Sequence, residues 1–434
     1  MSQFKLSLTK EDFYLTFYFL FNIVVFFLLA TTNYILWPKI YYLPSLMTLL
    51  WISLLLVAFA FFIVKAKEEI LKKQIKLILF LAFVIFIFLI ILPPVTSADI
   101  YQYIFQAKIF NVYQQNPYLV APNHFANDPL LANVSGPQYP SMYGPVWTSL
   151  VVFYNLLSGQ NIALNVILLK LNNLLFLILT AVLIFKLLKK FVPGYEYKGL
   201  TFLLLNPIIL YEILLDGHND FVMIFFLVAS LYFLLNRKYI YVLPFLILSV
   251  LIKYITIIAL PFILLYWLFE PSPWRQKAKD LIISSVVSLA IILVSWWPFY
   301  KGLATFQGLF MVAKINSNFL VYFLNNLFAY FHFSPDVYKI FLLVVFGLGY
   351  IALWLNLLKR LLKKNLTAIK FIYLILCVFF IYLVFASFWL QTWYILILIP
   401  FVALLIADQE LFISFNIFYI FLLLYFVLIT NHYI

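Results

Sequence analysis

Three short stretches and one lysine carry most of the polar chemistry in an otherwise apolar chain. Asp99 follows Pro93-Pro94 at the exit of an apolar run. A carboxylate at such an edge can serve as a general base, or Ser97 and Asp99 can cap the helix that follows. An ionisable group at a membrane boundary favours the functional reading. LYEILLDGHND (210–220) places Glu212, Asp216, His218 and Asp220 between two apolar runs with almost no loop. A simple turn needs only Asp216-Gly217, with Asn219 or Asp220 capping the next helix. Three acids and a histidine beside hydrocarbon fit binding of sugar hydroxyls better. Metal ligation is a third reading, though no ligand spacing is diagnostic. Lys253 interrupts LPFLILSVLIKYITIIALPFILLYW (243–267) between two short apolar halves. It is read either as a snorkelling side chain or as a point charge for a phosphate. SFWLQTWYILILIP (387–400) brings Trp389, Gln391, Trp393 and Tyr394 to another polar edge. An aromatic belt accounts for these residues, and sugar stacking is the alternative.

The elements that must position these residues are membrane helices. Of 434 residues, 67% are hydrophobic and 10% charged, against roughly 45–50% and 25% in soluble domains. Runs of about 20 apolar residues recur, each long enough to cross a bilayer. Disorder is excluded. Cys377 is the only cysteine, so a disulfide framework and a cysteine-based zinc site are excluded too. No P-loop, nucleophile elbow, HExxH or dinucleotide fingerprint is present. The net charge of +13 suggests nucleic acid only until the lysines are placed at helix ends. No nucleic-acid partner is expected.

The expected fold class is all-α, a polytopic transmembrane bundle of about thirteen spans forming one domain over 1–434. Spans are read at about 13–31, 43–64, 75–95, 164–188, 200–215, 219–235, 239–252, 254–269, 281–299, 337–358, 368–388, 393–408 and 411–430. The first is read as a retained helix rather than a cleaved signal. Basic clusters at Lys5/Lys10, 65–76, 186–190 with Lys198, Arg237/Lys238, 274–279 and 359–365 with Lys370 mark the cytoplasmic side. This places 21 of the 28 basic residues inside, counted cluster by cluster. The N-terminus is then cytoplasmic and the final Asn-His-Tyr-Ile lies outside. His124, His218, His332, His432, Asp99, Asp128, Asp216, Asp220 and Asp336 all fall on the outer face.

Two outer loops are expected, at 96–145 and 300–336. The first is proline-rich and long, which favours function. Within it SADIYQYIFQAKIFNVY reads as an amphipathic interfacial helix with Tyr101, Ile104, Phe105 and Ile109 on one side. The apolar run 143–159 is too short to cross and should return to the outer face. The second loop carries Lys301 and Lys314 in an aromatic and basic mix. The Asn-Val-Ser triplet at 133–135 is a weak glycosylation signal.

SADIYQYIFQAKIF, followed by QQNPY, NDP and MYGPVW, resembles the first outer loop of multi-pass GT-C glycosyltransferases. The order of motifs is similar to bacterial polyprenol-phosphate-mannose-dependent α-mannosyltransferases of cell-envelope glycans. Asn116-Pro117-Tyr118, Tyr143-Gly144-Pro145, Gly217-His218-Asn219-Asp220, Lys253 and Trp393-Tyr394 follow one another as in that group, over about residues 90–400. Asn111 and Gln115 stand where glycines commonly flank the Asn-Pro-Tyr. The resemblance implies transfer of a sugar, with mannose expected, from a polyprenyl-phosphate donor to a glycan or glycolipid on the extracytoplasmic face. It implies Asp99 as the general base and inversion at the anomeric carbon. Lys253, His218, Lys301 or Lys314 would stabilise the leaving phosphate. Asp216 or Asp220 would hold sugar hydroxyls or orient the base. Tyr103, Asn116, Tyr118, Tyr143, Asn219, Trp393 and Tyr394 would complete the substrate site. No cofactor, nucleotide or metal is required by that chemistry, and membrane lipids are expected partners.

The rival readings are a transporter or lipid-linked glycan flippase, a membrane polymerase of another fold, and an inactive structural subunit. A transporter should place its ionisable groups at the midplane and show internal repeats. Here the acids cluster towards one face, and no repeat is visible.

Overall fold

The computed structural model describes residues 43–95, 97–315, 318–331 and 335–430. The expected span at 13–31 and the histidines His332 and His432 lie outside the described residues. The described chain is helical, with no β-strand. In hydrocarbon a backbone must satisfy its own hydrogen bonds, and the apolar runs do so as helices. These are α1 (Leu43–Lys65), α2 (Ile75–Ile91), α3 (Asp99–Asn111), α4 (Pro145–Ser158), α5 (Ile162–Phe191), α6 (Glu196–Leu204), α7 (Asp220–Leu235), α8 (Val242–Val250), α9 (Leu260–Phe269), α10 (Trp274–Trp296), α11 (Phe319–Tyr330), α12 (Pro335–Leu362), α13 (Ala368–Phe385), α14 (Ile399–Leu404) and α15 (Gln409–Thr430).

Five helical segments among the described residues are long and apolar enough to cross a membrane: Ile162–Phe191, Glu196–Leu215, Trp274–Trp296, Val337–Leu362 and Ala368–Phe385. Their surroundings differ. In Glu196–Leu215, 94% of the apolar window is buried, against 11% in Trp274–Trp296 and in Val337–Leu362. The first is therefore the centre of the bundle. The other two leave apolar faces such as Ile282, Val286, Leu289 and Leu293 uncovered, the surface that lipid covers in a membrane protein. The shorter apolar helices include α2, α4 and α7. α4 has 14 residues, about 21 Å of helix, against a hydrocarbon thickness of about 30 Å.

The central segment does not stay α-helical. It breaks after α6, restarts at Pro207 with the Asn206 side chain accepting from the Ile208 amide at 2.9 Å, and runs as a π-helical turn over Leu210–Leu215. Two other segments open with tight 3-10 turns, Tyr254–Ala259 before α9 and Thr392–Leu398 before α14. Such departures are tolerated at membrane depth only where protein buries them, and they recur at functional sites. All three adjoin residues singled out from the sequence: His218, Lys253 and Trp393.

The first long loop folds as a compact body. Helix α3 forms where the amphipathic pattern places it, but more than one side is covered. Gln102 and Gln106 are buried together with Tyr103, Ile104, Phe105 and Ile109, while Tyr101 is half-buried. The cover comes from α4, α5 and the short turns Pro122–His124 and Pro129–Asn133, which pack on α3. An interfacial helix with one wet side is thus replaced by an enclosed one. Asp128 ties the loop together. Its carboxylate pairs with the Lys108 ammonium, accepts from the Tyr113 hydroxyl at 2.7 Å and caps the Leu130 amide at 2.9 Å. Burial alone would raise its pKa, but these donors outweigh that and hold the carboxyl below its usual range. Its stabilising contribution is therefore present above the ordinary carboxylate range and is lost as pH falls through the depressed value. Asp128→Asn is expected to cost the loop roughly 1.5–3 kcal/mol, read as faster amide exchange over 113–131.

Candidate active site

A cavity of about 210 Å³ opens where the first loop meets the bundle. It is far larger than a single water needs. Asp99, Tyr143, Asp220, Lys253, Trp393 and Tyr394 line it. They come from five separate places in the chain, Trp393 and Tyr394 sharing one 3-10 turn. Asp99 is the first residue of α3. The Ser97 hydroxyl accepts from the Asp99 amide at 3.3 Å, so backbone capping falls to Ser97 and the Asp99 carboxylate points elsewhere. It accepts from the Ser135 hydroxyl at 3.0 Å.

Asp220 begins α7, and Asn219 before it makes no side-chain cap. Both Asp220 oxygens lie 2.8 Å from the Lys253 ammonium. Lys253 sits in extended backbone between α8 and the Tyr254–Ala259 turn. Its ammonium also stands 5.9 Å from the Tyr143 ring and 5.7 Å from the Tyr394 ring. These are cation–π distances. The lysine is thus a fixed cation at the cavity wall, not one that snorkels into water.

Two glycines bring these parts together. The Gly144 amide donates to the Ile252 carbonyl at 3.0 Å, and the Val146 amide to Leu251 at 3.0 Å. A Cβ on Gly144 would lie 2.1 Å from the Leu251 carbonyl oxygen. The Tyr-Gly-Pro motif therefore docks the first loop directly on the turn that carries Lys253. Gly217 has φ +83°, a left-handed conformation suited to glycine, and a Cβ there would meet Ile100 Cδ1 at 2.5 Å. That close approach sets His218 beside Asp99. Gly144→Ala is expected to push Lys253 out of register and to lower kcat/KM by on the order of 100-fold, the cost of an ångström-scale misplacement. Steady-state kinetics on protein of unchanged yield checks this.

His218 is fully buried just behind the cavity. Its Nδ1 is 3.8 Å from Asp99 Oδ2 and its Nε2 is 3.5 Å from Glu212 Oε2. Trp393 stacks on the ring at 3.9 Å with planes 19° apart. The Asn173 side-chain amide donates to the Gly217 and His218 carbonyls at 3.1 and 2.9 Å. The ring is therefore clamped. Burial, and then the nearby Lys253 charge, push its pKa well below the usual value. Asp99, in the first loop, is shifted the other way. Burial raises its carboxyl to about 6, with the Ser135 hydrogen bond and Lys253 opposing and the Asp220 and Asp216 charges adding to the rise.

The remaining candidates lie outside the cavity lining. Tyr103 packs edge-on against Tyr143 and Trp147, and its hydroxyl oxygen accepts from the Tyr143 hydroxyl at 3.4 Å. Tyr118 donates to the Tyr143 carbonyl at 2.9 Å. Asn116 accepts from the Tyr118 amide at 3.0 Å and donates to the Phe299 carbonyl at 2.7 Å. The Asn-Pro-Tyr motif thus braces the loop that presents Tyr143. Asp216 accepts from the Val95 amide at 2.8 Å, below the cavity. Asn219 is buried in the same turn. Lys301 and Lys314 are exposed and do not line the cavity.

Two residues escaped the sequence reading. Ser135 was visible only as part of a glycosylation triplet. Lys170, in the middle of α5, is fully buried and donates to the Leu92 and Leu89 carbonyls at 2.7 and 3.2 Å. It thereby caps the C-terminal end of α2, where a cation is favoured. A charge inside a 30-residue apolar helix was the available signal.

Among curated proteins no relative matches the chain. A family model described as alpha-(1->6)-mannopyranosyltransferase, N-terminal domain, matches residues 28–269, more than half of the 434 residues. The match takes in Asp99, the Asn-Pro-Tyr and Tyr-Gly-Pro motifs, the Gly217–Asp220 turn and Lys253, and ends before Trp393. A cavity walled by aromatic rings, with a carboxylate on one side and a fixed ammonium on the other, suits transfer of a sugar. The chain belongs to the alpha-(1->6)-mannopyranosyltransferase family and is a glycosyltransferase.

Proposed function

We propose that the protein is a multi-pass enzyme that transfers mannose from a polyprenyl-phosphate carrier to a hydroxyl of a glycan or glycolipid on the extracytoplasmic face. Asp99 is the general base. The observation that carries this is the division of labour between the carboxylates at the cavity. Asp220 has both oxygens held by Lys253, and Asp216 does not line the cavity. Asp99 borders it with no cation on its oxygens and one hydroxyl donor, Ser135. Its raised pKa gives it the basicity that proton abstraction near neutrality requires.

In the reaction, Asp99 takes the proton of the acceptor hydroxyl as that oxygen bonds to the anomeric carbon. The bond from that carbon to the phosphate oxygen breaks, and its electron pair leaves with the lipid phosphate. Lys253 faces the charge that develops there. One base and one displacement invert the anomeric centre. An α-mannoside product therefore calls for a β-linked donor. A retaining double displacement would need a second carboxylate as nucleophile, and Asp220 is committed to Lys253.

The apolar character of the cavity supports a lipid carrier over a nucleotide sugar. Met142, Met223, Leu309 and Val312 share its wall with the polar groups, and a prenyl chain can lie along them. The distribution of the basic clusters supports an outer location for this end of the bundle. Purified protein in nanodiscs, given radiolabelled polyprenyl-phosphate-mannose and a glycolipid extract, is expected to label the extract. Transfer from a nucleotide-mannose donor, with none from the lipid donor, would overturn the reading.

A further inference from the structure

The polar centre behind the cavity is unbalanced in charge. Four carboxyl groups, on Asp99, Glu212, Asp216 and Asp220, meet two ammonium groups, on Lys170 and Lys253. Lys253 is spent on Asp220. Lys170 gives its hydrogen bonds to the end of α2 and interacts electrostatically with Asp216. Glu212 is buried in the π-helical turn, and among the described residues its donors are hydroxyls, Tyr419 at 3.3 Å and Thr392. Beside it His218 has no exposure to solvent, and neither ring nitrogen has a hydrogen-bond partner among the described residues. An orphaned buried imidazole is costly. This one cannot swing away to find a partner, because Trp393 covers its face and Asn173 holds its backbone. Its Nε2 is aimed at Glu212 Oε2, 3.5 Å away.

Glu212, Asp216 and His218 each offer one ligand atom, and the three atoms lie within 4.8 Å of one another. Ligands at about 2.0–2.2 Å from one tetrahedral ion stand roughly 3.3–3.6 Å apart, so side-chain movements of about an ångström or a little more would close the set. One neutral imidazole and two carboxylates suit a first-row divalent cation, and two negative charges balance it. We propose that Glu212, Asp216 and His218 bind one divalent transition cation, of the Zn²⁺ or Mn²⁺ class, beneath the sugar-transfer cavity. Glu212 lies within the π-helical turn Leu210–Leu215, and Asp216 is the residue that ends it. The ion also answers why a histidine stands next to Asp99. With Nε2 on the cation, the ring proton resides on Nδ1, which faces Asp99 Oδ2 at 3.8 Å. This is the carboxylate–histidine–metal arrangement that fixes tautomer and ring orientation. His218 is then a positioning residue for the base, and the cation itself stays out of the cavity.

The test reads metal rather than turnover, so its failure would leave the mannosyl-transfer reading standing, and the reverse. Full-length protein in nanodiscs is analysed for metal as purified, stripped with a chelator, and titrated with Mn²⁺ (followed by electron paramagnetic resonance) and with Zn²⁺ (followed by thermal melting). The expected result is one cation bound per chain, and a melting temperature that falls on stripping and recovers on reloading. Glu212→Gln should weaken binding by at least the roughly 10–100-fold that loss of a supporting partner costs. Should that variant fold poorly, the wild-type titration decides alone. Stripped wild type that neither binds Mn²⁺ nor gains stability from Zn²⁺ would overturn the proposal.

Discussion

Asp99→Asn is expected to lower kcat by roughly 10²–10⁴-fold, the usual worth of a positioned general base, while donor binding stays nearly unchanged. The asparagine keeps the shape of the side chain and can still accept from Ser135, so the change isolates basicity. Loss in kcat without a matching rise in KM is the signature of an interaction made in the transition state. Wild-type turnover should also fall as the pH drops and the carboxyl takes up a proton, because only the ionised form abstracts one. The residual activity of the asparagine variant should lack that acid limb. Transfer that survives Asp99→Asn at full rate would contradict Asp99 as the base.

Lys253→Met is the second large effect. Removing a fixed cation from beside a developing phosphate charge costs on the order of 10²–10³-fold in rate. It also leaves Asp220, almost fully buried, with an uncompensated charge, and breaking such a pair costs roughly 3–5 kcal/mol of stability. The two losses separate in the double variant Lys253→Met with Asp220→Asn. That variant should regain most of the melting temperature but none of the activity. Lys253→Arg is not a mild change, because a planar fork cannot replace a point charge seated between the Tyr143 and Tyr394 rings. If the double variant recovered turnover, Lys253 would be a structural partner of Asp220 and not a phosphate ligand.

The sequence reading went furthest where the physics is local. Apolar runs become helices because hydrocarbon offers the backbone no other partner, and each run read between 43 and 430 is helical in the structure. Five of these segments have the length and composition of a membrane span. The crowding of Glu212, Asp216, His218 and Asp220 marked a polar centre for the same reason: charge beside hydrocarbon is expensive. Pairings across the chain were not legible. Nothing in LLDGHND says that Asp220 is taken by Lys253, 33 residues on, or that His218 faces Asp99 across the loop. The π-helical turn and the two 3-10 turns were also hidden, because apolar composition does not change when helical pitch does. The Asn-Pro-Tyr motif is a related case. The resemblance assigned Asn116 and Tyr118 to the substrate site, and in the structure both side chains hold backbone carbonyls. A short motif records that a side chain is needed, and only the folded contacts record what it touches. Trp393 was read as belt or sugar platform, yet one of its faces is stacked on His218.

The anomeric configuration of the product tests the single displacement most directly. A synthetic β-linked polyprenyl-phosphate-mannose carrying ¹³C at the anomeric carbon is turned over in nanodiscs, and the one-bond carbon–hydrogen coupling of the product is read by NMR. Inversion run by Asp99 predicts an α-mannoside from the β donor and no turnover of the α donor. A β-mannoside from the β donor would mean retention, and would contradict a mechanism with one base and no carboxylate nucleophile.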